Sequence, residues 1–165
     1  MNLSEYIAFI TEDIDNIRVF HISNNIIKIL QPKIPNNFYT KMGWEDGKIK
    51  RISVAPDIDH CILSIGNNKV AENPKIYRVY EPIDYDKIKV MTNQELIRRN
   101  LVPDAKQTKE FWLLSTTRVK EIAKIKVLKM NEKYVTVPYG PEGKQTPARN
   151  RRAYFWDWKL IEGTI

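Results

Sequence analysis

The alternation of apolar and polar positions divides the chain into short pieces. Leu3, Ile7, Ile10 and Ile14 recur at helical spacing behind Ser4, which predicts an amphipathic helix over 4–14. Arg18-Val19-Phe20-His21-Ile22-Ser23 alternates and reads as the end of a strand over 17–22, broken by Asn24-Asn25. Residues 24–30 are β-branched at Ile26, Ile27 and Ile29 and fit either a strand or a short turn of helix. Pro32, Pro35, Asn36-Asn37, Gly43 and Gly47 oppose regular structure, so 32–50 reads as a long loop carrying Phe38, Tyr39, Met42 and Trp44. Such an aromatic loop reads equally as a binding lid or as an Ω-loop packed by its own side chains.

A short strand follows over 51–55. Asp57 can cap a helix whose apolar face is Ile58, Cys61, Ile62 and Ile65, with Gly66-Asn67 as its stop. Residues 75–81 form the clearest strand, ended by Pro82, and Asp84-Tyr85-Asp86 make an acidic turn. A strand over 87–91 leads to Thr92-Asn93-Gln94-Glu95, a capping-box pattern opening a helix to about Asn100. Residues 102–105 read as loop, and 110–114 as an apolar strand. Residues 119–130 alternate, Asn131-Glu132-Lys133 reads as a hairpin turn, and 134–137 as the returning strand. Residues 140–152 read as loop, and Tyr154, Trp156 and Trp158 mark a last strand. Many short strands with about three short helices, in no strict βαβ order, predict an α+β fold.

Composition adds five things. With 165 residues, 42% hydrophobic and 28% charged, the chain suits one packed domain. Acidic residues at Glu5, Glu12, Asp13 and Asp15 argue against a signal peptide, and no apolar run reaches membrane-spanning length, so a cytoplasmic protein without a membrane partner is expected. A single Cys61 excludes an internal disulfide and a cysteine zinc cluster. The net charge of +7 is concentrated: residues 118–165 hold eleven Lys/Arg against five Asp/Glu. That asymmetry fits a polyanionic partner or a solvated basic face equally well. Richness in Ile, Asn and Lys fits an AT-rich bacterial or phage genome and a small accessory or anti-defence role.

The chain lacks a phosphate-binding loop, a dinucleotide glycine motif, a nucleophile elbow and zinc-hydrolase histidine spacing, so no metal site is expected. His60 sits on the helix as a structural or exposed residue. What remains is His21, Ser23, the aromatic loop, Arg51 and the carboxylates Glu81, Asp84, Asp86 and Glu110. This set suits departure of a leaving group from a sugar carbon, in which a carboxylate stabilises an oxocarbenium-like cation. An aromatic would hold a flat heterocycle and Arg51 would pair with a phosphate.

The order of these pieces resembles the ADP-ribosyltransferase superfamily, its rifampin ADP-ribosyltransferase-like branch most. Phe20-His21-Ile22-Ser23 is similar to that branch's aromatic-His-Gly-Thr/Ser strand, with Ile22 in the glycine position. Leu30-Gln31-Pro32 matches its Leu-x-Pro, and residues 52–57 its strand-to-helix segment, with Ser53 where the family has an aromatic. Residues 76–82 resemble its apolar-Tyr-x-Val-Glu-Pro strand, lengthened by Tyr80, and Arg118-Val119-Lys120-Glu121-Ile122 its later basic-apolar strand. The resemblance covers roughly 19–127. It implies a single domain over 1–165 with an ADP-ribosyltransferase-like split β-sheet, a few short helices and a basic, aromatic C-terminal β extension at about 131–165.

The resemblance also implies NAD as substrate, with transfer of ADP-ribose to an unknown protein or nucleic-acid acceptor, or hydrolysis of NAD. His21 would bind the adenosine-side ribose, while the backbone at Ile22 and Ser23 would hold the nicotinamide amide. With Ser53 in that segment, stacking would come from Tyr39 or Trp44. The catalytic acid would be Asp86, the branch's position, or Glu110, where the wider superfamily opens a later strand. The other reading is a non-catalytic binding module for nucleic acid or protein, in which Lys144, Arg149, Arg151 and Arg152 beside Tyr154, Phe155, Trp156 and Trp158 track phosphates and stack bases.

Overall fold

A computed structural model describes residues 17–36, 38–65, 76–137 and 149–165. The helix expected over 4–14, its cap Ser4, the Gly66-Asn67 stop and most of the loop over 140–152 lie outside the described residues. The described part is an α+β arrangement of two antiparallel sheets with short helices.

The larger sheet contains β1 (His21–Ser23), β2 (Ile29–Leu30), β4 (Ile76–Pro82), β7 (Thr117–Val137) and β8 (Arg149–Gly163), in the order β1-β4-β7-β2, with β8 also on β7. The smaller contains β3 (Ile52–Val54), β5 (Val90–Met91) and β6 (Phe111–Leu113), in the order β3-β6-β5. Two single bridges tie them together at either end of β3. Phe20 exchanges backbone hydrogen bonds with Ala55, and Lys33 does so with Arg51.

Strand alternation decides what lies between the sheets. A bulge at Val79/Tyr80 turns both residues inward, so β4 serves two neighbouring cores from one face. Under the helix α2 (Ile58–Ile65), Ile58, Cys61 and Ile62 pack on Ile22, Tyr77, Val79, Ala123, Ile125 and Val127. Beside this, Ile52, Val54, Phe111 and Leu113 of the smaller sheet pack on Tyr80, Val119, Val19 and Leu30. The opposite face of the smaller sheet meets α3 (Asn93–Arg98) and α4 (Ala105–Thr108), where Met91, Leu96, Val102 and Ala105 surround Trp112. Asp57 caps α2 as expected, accepting from the His60 amide at 2.9 Å, and His60 Nδ1 also meets this carboxylate at 2.6 Å. Thr92 caps α3 through the Glu95 amide.

Three expectations change. The long loop holds a helical turn, α1 (Phe38–Lys41), and residues 102–105 run into α4. Asn131-Glu132-Lys133 is not a hairpin turn: β7 continues through it, paired to Phe155, Tyr154 and Ala153 of β8. The separate strand over 134–137 is thus the end of one 21-residue strand. Among the described residues no helix is long and apolar enough to cross a membrane.

Candidate functional site

The bridges that join the sheets also bring three distant residues into a line. His21 lies at the edge of the larger sheet, one residue beyond the Phe20–Ala55 bridge. Its Nδ1 is 3.1 Å from the Ser53 carbonyl oxygen. A carbonyl only accepts, so this bond places the proton on Nδ1 and leaves Nε2 as an acceptor. Burial holds the imidazole pKa below its ordinary value, against the opposing effect of the Ser53 hydrogen bond. The ring is therefore neutral near pH 7.

Ser53 continues the line. It stands opposite Trp112 in the β3–β6 register, and its hydroxyl donates to Glu110 Oε1 at 2.5 Å. Trp112 Nε1 donates to the same oxygen at 2.7 Å. Glu110 and Trp112 are two apart on one strand, so period-two alternation puts both on the face away from the inter-sheet core. The Asn93 amide donates to the Glu110 carbonyl at 3.0 Å and to that of Ala105 at 2.7 Å, fixing the backbone where β6 begins. Both side-chain hydrogen bonds end on Oε1, and Oε2 takes none from any described residue. Glu110 is only 6% exposed. Burial raises its pKa, outweighing the Ser53 and Trp112 hydrogen bonds, and the carboxylates of Glu45 and Asp104 push the same way.

β1 contributes a second set of groups. Phe20 turns its N–H and C=O to Ala55. Two residues on, Ile22 must turn its own to that side, while His21 and Ser23 bond to β4. The Ile22 backbone thus faces the edge where the chain leaves β3, while its side chain is buried in the core. Ser23 Oγ accepts from the Asn25 amide and is committed to the turn.

The expected residues divide. His21, Ile22, Ser53 and Glu110 come together. Arg51 does not face a ligand: its side chain is fully buried and its guanidinium lies 3.9 Å over the Trp112 ring. It donates to the Glu45 carboxylate and to the carbonyls of Asp46 (2.7 Å) and Ile49 (3.0 Å), so it folds the loop down instead of pairing with a phosphate. Asp86 is exposed on the turn Tyr85–Lys87 and shares no hydrogen bond or ion pair with His21, Ser53 or Glu110 among the described residues. Asp84 is held by Arg118 on the surface, and Glu81, itself buried, is held by Arg18. Trp44 is half-buried in the loop that Arg51 anchors, and Tyr39 lies on α1, its side chain outside what the structure describes. Cys61 is buried and donates to the Phe20 carbonyl; burial, helped by the Asp57 carboxylate, raises its pKa far from thiolate chemistry.

Trp112, Asn93 and Glu45 are the contributors that motif order did not name. The Glu110-x-Trp112 spacing is the signal that would have found the indole. A cleft of about 290 Å³ opens beside the site, lined by Pro56, Asn93, Lys109 and Phe111 among others. Lys109 and Phe111 flank Glu110, whose own carboxyl belongs to the other face. No group of three or more metal-ligating side chains occurs among the described residues. Comparison with family models, with curated proteins and with solved structures finds no match.

Proposed function

We propose that this chain binds NAD in the manner of an ADP-ribosyltransferase, on a split sheet of that kind, and passes ADP-ribose to an acceptor or to water. The observation that carries the reading is the line His21–Ser53–Glu110, whose members are 32 and 57 positions apart in sequence yet meet through hydrogen bonds. The line joins the histidine strand, the strand-to-helix segment, with Ser53 in the position where the family has an aromatic, and an acid that opens a later strand. In this reading the acid is Glu110 and not Asp86.

His21 Nε2 accepts from a ribose hydroxyl, and the Ile22 N–H and C=O pair with the nicotinamide carboxamide. Glu110 Oε2, which takes no hydrogen bond from a described residue, faces the ribose carbon bonded to nicotinamide. As that C–N bond breaks, its electron pair moves to the ring nitrogen and cancels the pyridinium charge. The positive charge passes to the ribose ring, where the carboxylate stabilises it. An acceptor nucleophile or water closes on the carbon and gives up a proton. Ser53 and Trp112 position Glu110 by holding its other oxygen. Because burial raises the Glu110 pKa, the rate rises with pH as this carboxyl ionises.

The test follows free nicotinamide after adding NAD, with NAD affinity measured separately by calorimetry. Wild type is expected to release nicotinamide. Glu110→Gln should bind NAD but release it at least ~100-fold more slowly, the cost of a lost charge-stabilising group. His21→Ala should weaken binding by about tenfold, the loss of one hydrogen bond. An absence of NAD binding in the wild type, or release unchanged in both variants, overturns the reading.

A further inference from the structure

Stability alone does not account for Arg51. Its side chain is fully buried, and its Nε finds no hydrogen-bond partner among the described residues. A buried ion pair gains little over apolar side chains of the same shape, and an orphaned buried donor loses its hydration outright. Bonds to Glu45 and to the Asp46 and Ile49 carbonyls fold the 45–49 loop, yet they leave one contact unexplained. The guanidinium lies over the Trp112 ring, 3.9 Å from its centroid. A loop anchor needs acceptors around it and no aromatic beneath it.

The register brings these groups together. Arg51 stands two residues before Ser53, Ser53 stands across from Trp112, and Glu110 stands two before Trp112. Period-two alternation therefore gathers all four side chains on the face of the smaller sheet turned away from the inter-sheet core. Trp112 takes the guanidinium on the face of its indole and donates from the edge of the same indole, Nε1 to Glu110 Oε1 at 2.7 Å. Stacking fixes the plane of the indole and so the direction of its N–H. A cation on the ring also draws electron density from it, which makes the edge N–H a stronger donor. Other groups press on Glu110 from the elements around it. Glu45 of the loop and Asp104 before α4 oppose its ionisation, as burial does. Asn93 of α3 donates to the Glu110 carbonyl and not to its carboxyl, and His21 lies one step further off, behind Ser53. The hydrogen bonds from Ser53 and Trp112 favour the charged carboxylate, and Arg51 supports the second of them.

We infer that Arg51 is a positioning residue for Glu110, acting through the face of Trp112 while it holds the 45–49 loop. Loop and carboxyl thereby form one unit. The group that seats the loop also aims the indole N–H at Oε1, which turns Oε2 toward the reacting carbon. That Glu110 is the catalytic acid rests on the NAD reading above; its coupling to Arg51 does not.

The experiment follows the Trp112 Nε1–H and Arg51 Nε–H signals of the full chain by proton–nitrogen NMR from acid to mildly alkaline pH, with Trp112→Phe to assign the indole. In wild type the two signals should share one midpoint, and that transition should vanish from both in Glu110→Gln. Arg51→Lys keeps a cation for Glu45 but loses the flat face, so the indole midpoint should rise by about half a pH unit or more. Glu45→Gln/Arg51→Met leaves no unpaired buried charge, and its midpoint should lie above that of Glu45→Gln alone. With NAD, Arg51→Lys should lower kcat for nicotinamide release about tenfold, the worth of one hydrogen bond, and leave KM within about threefold. Wild-type signals with different midpoints, or midpoints unmoved by both Arg51 changes, overturn the inference. So does an Arg51→Lys enzyme that loses KM and keeps kcat. The wild-type titration needs no Arg51 variant, so it decides even where Arg51→Lys fails to fold. A wild type that releases no nicotinamide overturns the NAD reading alone, and the NMR signals still decide the coupling.

Discussion

At the scale of single residues, Glu110 is the position where stability and chemistry disagree. A carboxyl whose folded pKa is raised binds its proton more tightly in the folded state. Its contribution to stability is therefore complete below the ordinary value near 4.5 and is lost as pH rises through the folded value. Glu110→Gln removes the charge but keeps an oxygen that can accept from Ser53 and Trp112. The variant should match wild type near pH 4 and become the more stable protein as pH rises to 8, by a few degrees in thermal unfolding. A variant equally or less stable than wild type at pH 8 would show that the ionised carboxylate is favoured where it lies. His21 has the opposite sign: its depressed pKa gives stability that is present above 6.5 and lost as pH falls through the folded value. The two groups thus limit stability from opposite directions. A site that costs stability at the pH where it would work is what a functional carboxylate leads one to expect.

At the scale of elements, the last turn of β8 depends on one glycine. Gly163 has φ +87°, pairs with Ala123, and is followed by Thr164, whose amide donates to the Ile122 carbonyl at 3.2 Å. A Cβ there would press on the Ile122 carbonyl oxygen and come within 2.7 Å of the Ala123 Cα, backbone that cannot swing aside. Gly163→Ala should lose ~1–3 kcal/mol in urea unfolding through left-handed strain and overpacking together. A loss below about 0.5 kcal/mol would mean that the β8 terminus detaches without consequence. Elements with a strong local signal were legible beforehand: the apolar face of α2 and the alternation of β4 as far as its bulge rest on one buried and one less buried side, and the Thr92-x-x-Glu95 cap on a local hydrogen bond. β2 and β5 have two residues each, too few for any period to show. The hairpin misreading at Asn131-Glu132-Lys133 has a definite cause. Beyond Lys126 the strand continues, among the described residues, on its pairing with β8 and not on an apolar period, and the bulge between Val127 and Met130 resets the alternation. The candidate site was named from an order of motifs at 21, 53 and 110, three residues that the fold does bring into hydrogen-bond contact. Arg51 was misread because a lone arginine resembles a surface residue, although Glu45 and Asp46, six and five positions earlier, were the partners that bury it.

At the scale of the whole molecule, one continuous strand belongs to two environments. From Val119 to Lys126, β7 is flanked by β4 on one side, is covered by the cores on its inner face, and gains β8 on its other side from Ala123 onward. From Met130 to Val137, β8 is its only strand partner among the described residues. Local opening costs little where buried apolar contacts are few, and global unfolding is needed where they are many. Amide hydrogen exchange should therefore divide β7 near its bulge. The amides of Val79, Ile125 and Val127, all fully buried, should exchange only with global unfolding, while those from Met130 to Val137 should exchange at least ~100-fold faster. Protection that is uniform along β7 would mean that its far end with β8 is a cooperative part of the sheet, and the division of the molecule into a body and an arm would fail.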